Sequence, residues 1–404
     1  MKNIKSLLIV TALGYFVDIY DLILFSIVRV QSLTELGVAN DQLMNIGVYL
    51  INAQMIGMLV GGVIWGIMGD KRGRLTVLFG SILVYSLANL ANSFVHDIQT
   101  YAIIRFIAGV GLAGELGAGI TLITESMSKE KRGYGTMIVA SIGLLGAVFA
   151  AFIGDHFTWR TAYLIGGILG FLLLLMRVSV TESNMFENAK SRAHQLADFK
   201  LLFNNKHRFF TYLNCILIGL PVWFVVGILI TFSPEIAKEI GITETISVGK
   251  GIMFCYLGTA IGDIASGVLS QILKSRKKVV FLFLVLILMS SCWFLYSGLG
   301  TATALYKIAF ILGFSAGYWA LFVTIAAEQF GTNIRSTVTT TVPNFVRAAV
   351  VPLTLGFAVA KQSMGAINAA FVVGSISIAI ALLSAFHLKE TFGKDLNYIE
   401  KNEA

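Results

Sequence analysis

Two carboxylates three residues apart, Asp18 and Asp21, lie inside an otherwise apolar run, residues 7–30. At that spacing both project from one face of a helix. Acids so close repel each other and favour sharing a proton, which makes the pair a candidate proton carrier. The alternative is that each caps a neighbouring helix or pairs with a buried arginine. Glu115 interrupts another apolar run amid Gly111, Gly114, Gly117 and Gly119, residues that let a second helix approach closely. It is the third candidate for the proton. Arg105 lies ten residues earlier, about 15 Å along a helix axis, too far to pair with Glu115. It is expected to meet Asp18, Asp21 or a substrate carboxylate.

Later in the chain Asp263 and Arg347 are the clearly intramembrane charges. Arg347 lies between Pro343 and Pro352, and prolines in a spanning segment free backbone groups that a cavity can use. It is the candidate anion-binding group, with an ion pair to Asp263 as the alternative. Tyr20, Tyr49, Asn52, Gln54, Trp223, Tyr318, Trp319 and Asn344 are candidates for lining a polar cavity. None of the five histidines lies deep in an apolar run, and Cys215, Cys255 and Cys292 lack metal-ligand spacing. Proton chemistry therefore falls to the carboxylates, and no cofactor, metal or nucleotide site is implied.

The elements that must position these residues are transmembrane helices. The chain is 56% apolar and 13% charged over 404 residues, with a mean hydropathy of +0.81. Soluble domains carry about 25% charged residues. Each span needs about 20 apolar residues, and twelve are predicted: 7–30, 44–69, 75–95, 99–125, 133–153, 160–180, 209–232, 248–273, 278–298, 303–328, 335–360 and 366–388. Counting the N-terminus as cytoplasmic, the even-numbered loops and both tails hold 22 lysines and arginines. The opposite loops hold only Arg160, Lys238 and Lys361. That asymmetry puts both termini in the cytoplasm, and it explains the net charge of +8 without nucleic acid. Lys2 and Lys5 precede an apolar stretch with no small-residue cleavage site, so the first span is read as retained.

The polar stretch around 181–208 divides the spans six and six, giving an N-terminal bundle (1–180), a cytoplasmic linker (181–208), a C-terminal bundle (209–388) and a tail (389–404). A weak internal repeat is visible. Glu125 and Arg132 close span four and open span five, seven residues apart, as Glu328 and Arg335 do for spans ten and eleven. Gly66-Ile67-Met68-Gly69-Asp70-Lys71-Arg72-Gly73-Arg74 after span two is echoed by Gly267 and the Lys274–Lys278 basic cluster after span eight, where the Asp is lost.

The run Gly66-x-x-Gly69-Asp70-Lys71-Arg72-Gly73-Arg74 resembles the loop signature of the major facilitator superfamily, with Lys71 where Arg is usual. Arg105-x-x-x-Gly109 resembles its second motif. Gly114-Glu115, Trp159-Arg160, Thr181-Glu182-Ser183 with Phe186, and Ala327-Glu328-Gln329-Phe330 with Arg335 are similar to its metabolite:proton symporter branch. The fifth span has no proline, unlike drug antiporters. The resemblance implies an all-α integral membrane fold of two six-helix bundles. It also implies that Asp70, Arg74, Glu125 and Arg132 form a cytoplasmic latch stabilising the outward-open state, with Asp70 able to sit at a helix N-terminus and to pair with Arg132. For Arg105 it implies a structural or proton-coupling role as readily as ligand binding.

These features point to a monomeric, non-enzymatic transporter in a bacterial-type cytoplasmic (inner) membrane. A carboxylate among Asp18, Asp21 and Glu115 would carry a proton, while Arg347, with Arg105, holds the anionic group of a small organic acid or zwitterion. A charge at a helix centre costs about 2.5–3.5 kcal/mol, so such residues need a partner, a cavity or a proton. The alternatives are a carrier or exporter of a cationic metabolite or metal ion, a sensor with the same fold, and a membrane-embedded transferase, whose catalytic constellation is missing from the loops.

Overall fold

The computed structural model describes residues 4–39, 42–128, 131–177, 201–298 and 300–400. The Thr181-Glu182-Ser183 run and most of the linker lie outside the described residues. The first half comprises α1 (Ile4–Glu35), α2 (Leu43–Arg72), α3 (Arg74–Asn92), α4 (Ile98–Leu112), α5 (Glu115–Ser126), α6 (Arg132–His156) and α7 (Trp159–Met176). The second comprises α8 (Leu201–Asn204), α9 (Lys206–Leu217), α10 (Leu220–Phe224), a π-helical turn (Val225–Ile230) and α11 (Ser233–Ile240). It continues with α12 (Val248–Ile272), α13 (Arg276–Tyr296), α14 (Ala302–Ala316), α15 (Trp319–Gln329), α16 (Arg335–Ala348) and α17 (Val350–His387). The described residues contain no strand, as lipid demands of segments that must satisfy their own backbone bonds.

Eleven segments are long and apolar enough to cross a membrane, where the sequence predicts twelve. The difference lies at the end of the chain, where Arg335–His387 is a single candidate of 53 residues. At 1.5 Å per residue it runs about 80 Å, far beyond a hydrocarbon core of about 30 Å. Gly365 breaks it with φ 79° and ψ 169°. The helix restarts there because the amides of Ala366 and Ile367 donate to Glu239 at 2.6 and 3.2 Å.

Spans four and ten are interrupted at matching places. α4 stops at Leu112 and α5 starts at Glu115; α14 stops at Ala316 and α15 starts at Trp319. The weak sequence repeat thus has a structural counterpart in the same two spans. Helices before residue 178 pack chiefly on one another, as do those after 200, and the two groups meet along α6–α12, α2–α16 and α5–α16. A Cβ on Gly117 would lie 2.3 Å from Thr340 Cα, so α5 and α16 touch backbone to backbone. Within the first group a Cβ on Gly109 would lie 2.1 Å from the Gln54 carbonyl oxygen. Exposed apolar side chains such as Leu175 (71%) and Phe386 (70%) belong to the face that lipid covers.

Candidate functional site

A narrow cavity lies where the two helix groups meet. Tyr15, Ile19 and Leu22 enter from α1 and Leu144 from α6; Trp223, Tyr256, Thr259, Trp319 and Arg347 face them from the second group. Arg347 is the one charged residue among those lining it. Its Nη1 donates to Asn344 Oδ1 at 3.2 Å, its guanidinium lies 5.6 Å from the Trp319 ring centroid, and its Nη2 is 3.8 Å from Asp18 Oδ2. Nε and Nη2 have no hydrogen-bond acceptor. Asn344 is itself fixed, since its Nδ2 donates to the Ala113 carbonyl at 2.8 Å, an acceptor left open where α4 is interrupted. A second, larger cavity of about 970 Å³, the vestibule, shares Leu22, Trp223 and Val226 with the first and includes Asn52 and Arg29.

Several expectations are corrected here. The ion-pair partner of Arg347 is Asp18, across the interface, not Asp263. Asp263 Oδ1 instead accepts from the Ala320 amide at 3.1 Å, where its charge faces the positive N-terminus of α15. Arg105 reaches neither Asp18 nor Asp21. It donates to Gln54 Oε1 and, at 3.1 Å, to Tyr163 OH, and lies 4.5 Å over Phe25. It is therefore held inside the first helix group, and it is absent from the cavity lining. Glu115 is buried in a two-pronged pair with Arg177, which also donates to the Leu78 carbonyl at 3.1 Å. Gly14 of α1 makes room for that pair, since a Cβ there would strike both side chains. Tyr20 donates to the Ala162 carbonyl at 2.8 Å and Tyr318 to the Ile218 carbonyl at 2.7 Å, so both phenols serve packing. Tyr49 is 53% exposed and faces outward. Asp21 is buried, with Asn89 beside it and no donor in hydrogen-bonding geometry on either oxygen.

The latch residues form two mirrored clusters. Glu125 accepts from Arg74 at 2.8 Å and from Arg335 at 2.9 Å. Glu328 accepts from Arg132 at 2.8 Å and approaches Arg276 at 3.3 Å. Each glutamate therefore holds one arginine of its own half and one of the other. Asp70 does not pair with Arg132. It lies 3.4 Å from Arg74 and accepts from the Ser336 and Thr337 amides at 3.0 and 2.8 Å, capping α16 across the interface. The tail then straps both clusters. The Lys394 carbonyl accepts from Arg132 at 2.6 Å and the Leu396 carbonyl from Arg335 at 2.7 Å. Burial works against the charge of Glu390. The Ser275 hydroxyl and the amides of Phe392, Arg276 and Lys277 outweigh it and hold that carboxyl below its ordinary range. Between latch and cavity the halves meet through hydroxyls, Thr121 with Thr339 at 2.5 Å and Thr324 with Thr136 at 2.9 Å.

Ion-pair clusters that bridge the two helix groups at one end, a cavity at their interface and a vestibule on the other side are arranged as a carrier requires. The sequence model of the Major Facilitator Superfamily matches residues 11–348. The chain belongs to the Major Facilitator Superfamily.

A putative niacin/nicotinamide transporter of Bacillus subtilis is 24% identical to this transporter over 96% of the chain and 97% of its own length. The 3-(3-hydroxy-phenyl)propionate transporter of Escherichia coli is 28% identical over 81% and 77%. The solved structure of the proton:xylose symporter XylE superposes with a TM-score of 0.78 at 15% identity, covering 98% of both chains. The protein is a multi-pass transporter of small metabolites of the bacterial inner-membrane type, not an enzyme.

Some of the transporter's site was missed in the sequence. Tyr15, Ile19 and Leu22 follow one another at steps of four and three and so share a face of α1, which Asp18, three residues from Tyr15 and four from Leu22, borders. Arg177 sits at the end of an apolar run, and nothing local to it signals Glu115. Arg276 was read as one more cytoplasmic cation and Arg335 as part of a motif echo. That Arg276 pairs with Glu328 of its own half and Arg335 with Glu125 across the interface is a tertiary fact.

Proposed function

We propose that this transporter is a proton-coupled symporter that takes up a small aromatic monocarboxylate by alternating access. The observation that carries the reading is Arg347, buried on the cavity wall with Nε and Nη2 unbonded and Asp18 at 3.8 Å. Leaving a buried charge uncompensated costs several kcal/mol, and two arrangements avoid it. Without cargo, ionised Asp18 neutralises Arg347. With cargo, the substrate carboxylate takes the arginine, and Asp18 becomes neutral by binding a proton. Proton and anion then bind together, one for one, and the loaded site carries no net charge across the membrane. Asp21, one turn away, is the second acid in reach.

The rest of the wall supports an aromatic cargo. Tyr15, Trp223, Tyr256 and Trp319 line the cavity beside Arg347, and aromatic walls of that kind suit a ring. The relatives that carry niacin or 3-(3-hydroxy-phenyl)propionate carry ring compounds. The halves would act as two six-helix bundles, 1–180 and 209–388, joined by the 181–208 linker, with the 389–404 tail. Splitting the last candidate span at Gly365 gives twelve spans, with both termini and the latch on the cytoplasmic side, where the basic residues concentrate. The conformation described, latched there, is then outward-facing. The site is complete within one chain, so a monomer suffices.

Purified protein in liposomes with an imposed pH gradient tests this. Niacin, 3-(3-hydroxy-phenyl)propionate and benzoate, set against polyamines and cationic amino acids, should elicit internal acidification with the aromatic acids alone. Asp18→Asn should abolish uphill accumulation yet retain exchange. A response confined to cations, or uphill accumulation intact in Asp18→Asn, would overturn the proposal.

A further inference from the structure

The vestibule holds one positive and one negative side chain, and they come from opposite halves. Arg29 lies near the end of α1, and Glu235 lies in the first turn of α11. Both line the 970 Å³ space, and Glu235 is the acid whose charge acts on Arg29. The two make no ion-pair contact, and Arg29 Nε has no acceptor. The arginine stem lies against Gly47 of α2, where a Cβ would come within 2.5 Å of Arg29 Cδ, so the guanidinium is steered into the space.

What carries Glu235 is equally specific. α11 follows the π-helical turn Val225–Ile230, closed by the Thr231 amide donating to the Val226 carbonyl at 3.2 Å. A π-turn holds one residue more than an α-turn and recurs at functional sites. Returning it to α-helical register turns the segment beyond it by about 100° and shifts it about 1.5 Å. Val226 lines both cavities, so the hinge feels an occupant of the central site.

We propose that Arg29 and Glu235 form the outer gate, brought into contact when this π-turn relaxes and α11 folds over the vestibule. The pair presupposes alternating access, but neither proton coupling nor any particular cargo. It forms when the latch parts, so each face of the transporter has ion pairs of its own.

Two substrate-free measurements on the full-length protein in membranes test this. In Arg29→Cys with Glu235→Cys, a bifunctional thiol cross-linker about as long as an arginine–glutamate pair should join the two cysteines, because the closed gate spans that distance. The second uses Thr340→Cys, at the buried seam below the cavity, labelled with a permeant maleimide and compared with the parent carrying only the native cysteines. Glu235→Arg should slow that labelling by about tenfold, or about 1.4 kcal/mol, because closure then brings like charges together. Adding Arg29→Glu to it should restore the rate to within about twofold, which a misfolded protein would not do. Absence of the cross-link, or a double reversal no faster than the single one, would overturn the gate.

Discussion

Replacing Glu115 by glutamine should damage the fold more than the transport cycle. The carboxylate receives Arg177 at 2.9 Å on one oxygen and a second guanidinium nitrogen on the other, and Arg177 also donates to the Leu78 carbonyl at 3.1 Å. Both side chains are buried, at 0% and 1% exposure. Removing one partner of such a pair leaves the other charge stranded, at about 3–5 kcal/mol. Scaled by about 2–4 °C per kcal/mol, a value for 150–250-residue domains, that is a loss on the order of 10 °C in apparent melting temperature. Replacing both partners by apolar residues of similar size is often neutral or stabilising. So Glu115→Leu with Arg177→Met should melt within a few degrees of the parent, about 3 °C on that scale. Scanning fluorimetry of detergent-purified protein at one fixed rate reads all three, since membrane-protein melting is commonly irreversible. A Glu115→Gln protein that melts like the parent, but exchanges substrate without accumulating it, would refute the reasoning and make Glu115 a proton carrier.

Arg347→Gln should raise KM for an aromatic carboxylate by roughly 10- to 150-fold, the loss of a charged hydrogen bond of about 1.5–3 kcal/mol, measured by initial uptake rates. Asp70→Asn removes the charge that caps α16 across the interface and should speed maleimide labelling of Thr340→Cys; an unchanged rate would remove Asp70 from the latch. The tail should also undock in acid. Because docking lowers the Glu390 pKa, its contribution is complete above the ordinary glutamate value of about 4.3 and is lost as pH falls through the docked value. The protection of the amides of residues 394–400 against hydrogen exchange, taken relative to the intrinsic rate at each pH, should fall over that acid window and no longer do so in Glu390→Gln.

The spans were legible because lipid leaves an apolar segment little choice but to be a helix, and the charges inside them stood out against 56% apolar composition. Partners were not legible. Asp263 and Arg347 looked like a pair because both belong to the second half, yet packing across the interface gave Arg347 to Asp18 and Asp263 to the start of α15. The sequence sets Arg105 against Asp18, Asp21 or a substrate carboxylate, yet Gln54 and Tyr163 absorb it. The interruptions at Ala113–Gly114 and Gly317–Tyr318 were invisible as well, since hydropathy does not register a break inside a continuous apolar run. Those breaks matter: one exposes the carbonyl that orients Asn344, and the other opens the helix start that Asp263 caps.

The spacing of Glu125 to Arg132 and of Glu328 to Arg335 suggested a repeat, and the structure gives that repeat a physical purpose. A latch built only of pairs between halves would strand four buried charges each time it opened. Here Glu125 keeps Arg74 and Glu328 keeps Arg276, both partners from its own half, at 2.8 and 3.3 Å. Parting the halves therefore frees only Arg132 and Arg335, and both emerge into the water that enters the opening. The two kinds of arginine should respond oppositely to loss of charge. Arg132→Gln weakens the closed state alone, so labelling of Thr340→Cys should quicken. Arg276→Gln leaves Glu328 without a cation once the halves separate, so opening becomes harder and labelling should slow. Equal responses of the two variants would mean that the mirrored arrangement reflects ancestry without dividing the work of holding from the work of letting go.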